Sequence, residues 1–173
     1  AAGYTKSPTR RASSRVLAAI LGGILALVCV AVIAVLRMRD PLPPLNRTIF
    51  NEAVTRWESS GTHDYDVQVQ VRGRQPAVYG VQVREGQVVN ATRNGHPLKD
   101  PRTWDTWSVP GMFYTIEVDL DALDDSHGDQ PGVELWLGAV FDEQHGLPRR
   151  YRRVQPSRQM DTSWEITQWK VYP

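Results

Sequence analysis

Five aspartates in the second half of the chain come nearest to the spacing of a metal site: Asp119, Asp121, Asp124, Asp125 and Asp129. A helix-loop-helix calcium site needs oxygen ligands at alternate positions, a glycine at the sixth position and a glutamate at the twelfth. Counted from Asp119, Leu123 takes the fifth position and Asp124 takes the sixth. We therefore predict a solvated, acidic helix end and no bound metal.

The other groups that could carry chemistry are scattered along the chain. Its four histidines are His63, His96, His127 and His145. None forms a pair spaced for zinc, and the single cysteine, Cys29, has no second thiol beside it. The sequence has no Gly-x-Ser-x-Gly or Ser-x-x-Lys motif and no glycine-rich phosphate loop. We predict a protein that is not an enzyme, with no catalytic residue and no cofactor.

Four arginines flank Tyr151 on a predicted strand: Arg149, Arg150, Arg152 and Arg153. Alternation would place Arg149, Tyr151 and Arg153 on one face and Arg150 and Arg152 on the other. An outward patch of this kind is a candidate contact for an acidic protein or for anionic headgroups. A charged edge strand that resists aggregation would show the same pattern, so both interpretations stay open.

Two tryptophans, Trp104 and Trp107, lie in a proline-flanked stretch where neither helix nor strand periodicity requires them. Aromatic side chains in loops are frequent anchors of protein interfaces. They could equally close the end of the sheet. Both residues are therefore candidate partner contacts, with a core role as the alternative.

Residues 16–36 form an apolar run without a charged side chain, which as a helix would span about 30 Å, the thickness of a hydrocarbon core. We predict a basic cytoplasmic tail over residues 1–15 and a transmembrane helix over residues 16–37. Lys6, Arg10, Arg11 and Arg15 precede the run, whereas only Arg37 and Arg39 closely follow it. This bias predicts a single-pass inner-membrane protein with its C-terminal domain in the periplasm or outside the cell.

Small residues recur at every fourth position of the predicted membrane helix: Ala18, Gly22 and Ala26, with Ala19 and Gly23 beside them. Such a face lets another helix approach closely, and close packing drives helix association in lipid. The expected partners are therefore the bilayer and other membrane-protein subunits. Ala and Gly are also common in membrane helices generally, so a purely compositional origin remains open.

A proline-rich linker is predicted over residues 38–45, followed by an extracytoplasmic domain over residues 46–173. Apolar spacing predicts helices over about 46–60 and from about 110. Alternation predicts strands over 65–72, 77–84, 87–93, 133–141, 148–154 and 163–171. The expected fold is α+β: one transmembrane helix, then a helix–three-strand–helix–three-strand domain with an antiparallel sheet.

Several segments together resemble a family of small bacterial envelope domains of unknown function. These are Trp57 to Tyr65, Tyr79 to Val88, Trp107 to Phe113 and Phe141 to Pro148. Members often have a cysteine pair near the end of the first strand, where this chain has Gly73, Arg74 and Gln75. The resemblance implies an envelope location and this fold, and it implies no catalytic residue.

Two functions fit these features. The first is a non-catalytic accessory subunit whose helix packs into a larger membrane complex, such as a respiratory or photosynthetic one, and whose outer domain braces it. The second is a free, membrane-anchored module that binds a peptide, lipid or cell-wall ligand. The chain carries 20 basic and 19 acidic residues, a near-balance that predicts no nucleic-acid partner.

Overall fold

The computed structural model describes residues 42–126 and 135–172. The predicted tail, the predicted membrane helix and its small-residue face lie outside the described residues. Within those residues, no helix is long and apolar enough to cross a membrane. Residues 42–45, which were predicted to belong to the linker, are part of the same compact unit as the rest of the described domain.

The described chain contains two α-helices, α1 (Arg47–Ser59) and α2 (Val109–Ser126). The strands are β1 (Tyr65–Arg72), β2 (Ala77–Arg84), β3 (Gln87–Arg93), β4 (His96–Pro97), β5 (Trp136–Phe141), β6 (Pro148–Gln155) and β7 (Met160–Val171). Short 3-10 helices cover Pro101–Thr103, Asp105–Trp107 and Pro156–Arg158.

The predicted fold class was wrong. The described chain forms one seven-stranded sheet in the order β4-β3-β2-β1-β7-β6-β5, rather than two groups of three strands. The additional strand, β4, was not predicted from the sequence. Asn94 and Gly95 have φ values of 51° and 79°, which form a two-residue hairpin turn. The chain therefore folds back onto β3, with His96 paired to Arg93.

Both α-helices cover the same face of the sheet. Tyr65, on β1, packs edge-on against Trp57 of α1, and its hydroxyl accepts a hydrogen bond from the first amide of α2, at Val109. Alternation along β1 turns Val67, Val69 and Val71 toward the same core. The opposite face of the sheet has no described helix over it.

The outer edge of β5 is covered by the residues that precede α1. The Leu45 amide donates to the Leu137 carbonyl at 2.9 Å, and the Ala139 amide donates to the Pro43 carbonyl at 3.3 Å. Leu42 and Leu45 are buried. The start of the domain is therefore tied to the sheet by backbone hydrogen bonds, which also protects an edge strand from pairing with other chains.

Candidate binding face

The helix-free face of the sheet carries polar side chains in two cross-strand rows. Residues of adjacent strands that lie directly opposite each other form each row. The first row runs Asn90, Gln82, Asp66, Lys170, and the second runs Thr92, Gly80, Gln68, Gln168. Because side chains alternate along a strand, the apolar neighbours of these residues point to the helices and the rows point to solvent.

Gly80 makes a hollow in the middle of this face. It lies between Thr92 and Gln68, and a Cβ added to it would come within 2.9 Å of the Thr92 hydroxyl oxygen. The groove around it has a volume of about 420 Å³. Its exposed lining comes from the two rows. A glycine inside a strand often marks a place where another group approaches the backbone closely.

Hydrogen bonds hold several of the amide side chains in place. The Asn90 amide nitrogen donates to the Gln82 amide oxygen at 3.0 Å, and the Thr167 hydroxyl donates to the Gln68 amide oxygen at 3.0 Å. Among the described residues, no hydrogen bond joins the Gln168 side chain to another group. The Gln68 amide nitrogen and the whole Gln168 amide are thus available on the groove wall.

One end of the groove is charged but internally paired. The Asp66 carboxylate accepts hydrogen bonds from Arg84 at 2.8 Å and from the Tyr172 hydroxyl at 2.7 Å. Burial alone would raise the pKa of Asp66, but the bonds from Tyr172 and Arg84 outweigh it and lower that pKa. Arg84 and Lys170 lie over the Tyr172 ring, 4.3 and 4.5 Å from its centroid. The Asp66 charge is therefore already compensated.

A second polar cluster is buried between α2 and β6. Asp119 is only 5% exposed, and its carboxylate accepts hydrogen bonds from the Tyr151 hydroxyl at 2.6 Å and from Arg153 at 2.5 Å. Burial and the charge of Asp119 raise the pKa of Tyr151 well above its usual range, so the phenol stays protonated. The prediction of a solvated acidic helix end was thus wrong for Asp119. Its position three residues after the inward-facing Ile116 was the available signal.

The four arginines do not form one patch. Arg149 donates to Asp142 at 2.8 Å in the turn between β5 and β6, and Arg153 points to the helix side with Tyr151. Arg150 and Arg152 lie on the helix-free face, where Arg152 pairs with Asp161 on β7. Only Arg150 and Arg152 therefore share a surface that a partner can reach.

Trp104 and Trp107 are half-buried and pack against their own domain. The Trp104 indole donates to the Leu98 carbonyl at 3.0 Å. The Trp107 ring stacks on Tyr79, with centroids 4.8 Å apart, and meets Trp164 edge-on. Both side chains close one end of the core, and a partner contact through their exposed edges stays a prediction.

Within residues 42–126 and 135–172, no group of three or more His, Cys, Asp or Glu side chains is placed to hold a metal ion. His127 and Asp129 lie outside that range. His63 and His96 are exposed, while the His145 ring lies 3.2 Å from the Asp142 carboxylate. The described histidines and aspartates thus do not form a shared metal centre.

Residues that carry the family resemblance have structural roles. Ser108 caps α2 by accepting from the Gly111 amide at 3.1 Å. Asp142 accepts from the His145 amide at 2.8 Å and from Arg149, which shapes the turn that presses Gly146 against α1. No family model and no curated protein matches this chain. The resemblance therefore stays a prediction from the sequence.

The groove residues were not predicted from the sequence, because polar residues that alternate along a strand normally form its solvent side. The signal was present in β2, where Gly80 interrupts the run of side chains, and in the amides at outward positions of β1 and β7. The facing pair Gln68 and Gln168 could not be recognised, because 100 positions separate them in the chain.

Proposed function

We propose that the protein is a non-catalytic accessory subunit of a larger membrane complex, attached through the predicted segment at residues 16–37 and bracing its host with the domain described here. The observation that carries this proposal is the tie between residues 43–45 and β5. A subunit that braces its host must hold a fixed position. Because residues 43–45 are hydrogen-bonded to β5, the chain has no flexible hinge where it enters the sheet.

The surface best suited to the brace is the part of the helix-free face on β6, the strand next to β5. Arg150 and Arg152 point outward there. Arginine is favoured at interfaces because its planar guanidinium can bind a carboxylate through two parallel hydrogen bonds. Arg152 already binds Asp161 through two hydrogen bonds, so a host carboxylate would share this arginine rather than fill a vacant site.

Purification of the full-length protein from its native membrane in mild detergent tests this proposal. The double variant Arg150→Glu, Arg152→Glu should lose the co-migrating subunits, because two attractive charges become repulsive. Arg74→Glu is the matched control, since Arg74 is exposed in the loop between β1 and β2, and it should keep them. Retention by the double variant would remove β6 from the interface.

Gly22→Leu tests the membrane part of the proposal independently. A leucine would push a closely packed neighbouring helix away. The variant should therefore release the protein from its host while the unfolding of residues 42–172 stays unchanged. If the wild-type protein migrates alone, the accessory-subunit proposal fails.

The second candidate function is a membrane-anchored binding module for a peptide, lipid or cell-wall ligand. The groove around Gly80 favours it, because a concave site of about 420 Å³ falls within the usual range of small-ligand pockets. The groove lies on β1, β2, β3 and β7, away from the β6 surface assigned to the brace.

A further inference from the structure

We propose that the groove around Gly80 binds a neutral saccharide of the kind found in cell-wall glycans. This inference specifies the ligand of the binding-module function and rests on that second function, not on the bracing one. No role was predicted from the sequence for the residues that line this groove.

Recognition at the centre of this groove comes from side chains. The backbone amides and carbonyls of β1 and β2 are engaged in the sheet ladder, because β1 pairs with β2 and β7, and β2 also pairs with β3. An extended peptide could join the sheet only at the rim, along Ile166 to Val171 of β7, which has no described strand on its other side. A ligand on the floor around Gly80 therefore contacts the side chains of the two rows.

The chemistry of those side chains matches hydroxyl-rich ligands. Gln168 offers a whole amide that donates and accepts, the Gln68 amide nitrogen donates, and Thr92 adds a hydroxyl. Asn90, whose nitrogen donates to Gln82, keeps its amide oxygen as an acceptor. Sugar hydroxyl groups also donate and accept, so neighbouring hydroxyls can pair with one amide at both of its ends. Gly80 lowers the floor between these groups and lets a ring approach the sheet.

Other occupants fit less well. The centre of a protein interface is enriched in aromatic and apolar side chains. The exposed large hydrophobic residues of the described chain are Ile49, Val89, Tyr114, Val118 and Val171, and none of them lines the groove. A lipid chain is disfavoured for the same reason, because no exposed large hydrophobic side chain among the described residues lines the groove. A strongly cationic ligand is disfavoured because Asp66, the carboxylate of the groove lining, already pairs with Arg84 and Tyr172.

Titration of the full-length protein with β-1,4-linked tri-N-acetylglucosamine tests the inference. The protein should be held in a polyoxyethylene detergent, since a detergent with a sugar headgroup would compete for the groove. Isothermal titration calorimetry should detect saturable binding at one site. Maltotriose, which lacks the acetamido groups, is a second neutral probe and separates N-acetylated from plain glycans.

Single substitutions assign the binding to the groove. Gln68→Ala and Gln168→Ala should each weaken binding by about threefold to tenfold, the loss expected for one or two hydrogen bonds. Gln70→Ala is the matched control, because Gln70 lies two residues along the same strand, on the same face but outside the groove, and should change binding less than about twofold. Circular dichroism checks that all three variants fold.

The outcomes separate this inference from the accessory-subunit proposal. Failure of both neutral saccharides to bind the wild-type protein would overturn the inference and leave host attachment untouched. Binding that is insensitive to Gln68→Ala and Gln168→Ala would also overturn it. If these variants instead lose the co-purifying host subunits and the wild-type protein binds no sugar, the groove is a protein interface.

Discussion

The Asp119 carboxylate on α2 and the Tyr151 hydroxyl on β6 are joined by a 2.6 Å hydrogen bond in the interior of the domain. Arg153 binds the other carboxylate oxygen, so one acidic side chain ties the second helix to two positions of the same strand. A buried carboxylate is tolerated only when such partners compensate its charge. The cluster is therefore a structural tie, and its loss should be felt in stability.

Asp119→Asn should lower the free energy of unfolding by about 2 to 4 kcal/mol, because Arg153 would lose its compensating charge in a poorly solvated site. Urea unfolding of the full-length protein in mild detergent, followed by circular dichroism, measures the change. The matched control is Asp124→Asn on the same helix, whose side chain is 60% exposed and pairs with Arg47. It should cost less than about 1 kcal/mol, and equal costs would contradict the structural tie.

Asp142 should make the domain sensitive to acid. Burial alone would raise the pKa of Asp142, but hydrogen bonds from the His145 amide, Arg149 and the His145 ring outweigh burial and lower that pKa to about 2. Because the pKa is lower in the folded state than the ordinary value of 3.8 expected for the unfolded chain, the stabilisation is present above pH 3.8 and is lost as pH falls toward 2.

Unfolding free energies measured between pH 5 and pH 2 test this dependence. Asp142→Asn should be less stable than the wild-type protein at pH 5, and the difference should shrink by about 1 to 2 kcal/mol at the acid end. Glu117→Gln, at an exposed position of α2, should follow the wild-type curve. A constant difference between Asp142→Asn and wild type across this range would refute the assignment.

Gly146→Ala should be strongly destabilising. Gly146 has φ of 77°, and an added Cβ would overlap the Ala53 carbonyl oxygen of α1. Gly95→Ala is the matched control, because Gly95 has φ of 79° but nothing within 4 Å of an added Cβ. The control should cost about 1 to 2 kcal/mol from backbone conformation alone, and Gly146→Ala should cost clearly more in the same thermal or urea unfolding experiment. Similar costs would mean that α1 does not pack against this turn.

Trp107→Ala should lower the free energy of unfolding by about 2 to 4 kcal/mol, because the ring packs between Tyr79 and Trp164. Trp107→Phe should recover part of this loss by keeping a ring on Tyr79. Circular dichroism gives the unfolding curves, and retention of host subunits is measured on the same variants. Near-normal stability together with lost retention would instead identify Trp107 as a partner contact.

The sequence alone determined the local elements of this domain. The alternation of Tyr65, Val67 and Val69 with polar residues predicted β1 and its buried face, and the predicted strand bounds of 77–84 and 87–93 left Glu85 and Gly86 as the turn between β2 and β3. Both turn residues have positive φ, at 52° and 74°. These features are readable because helix and strand periodicity and turn preference depend on residues that are neighbours in the chain.

Only the tertiary structure decided which elements meet. β7 lies beside β1, which brings Gln168 opposite Gln68 and completes a groove that no local pattern indicates. The fold of α2 over β6 buries Asp119 and separates Arg153 from Arg150, although all of these side chains look like surface charges in the sequence. The physical reason is that strand order and helix packing depend on contacts between residues far apart in the chain. Burial of the whole core selects which of these residues pair, and no single segment contains that information.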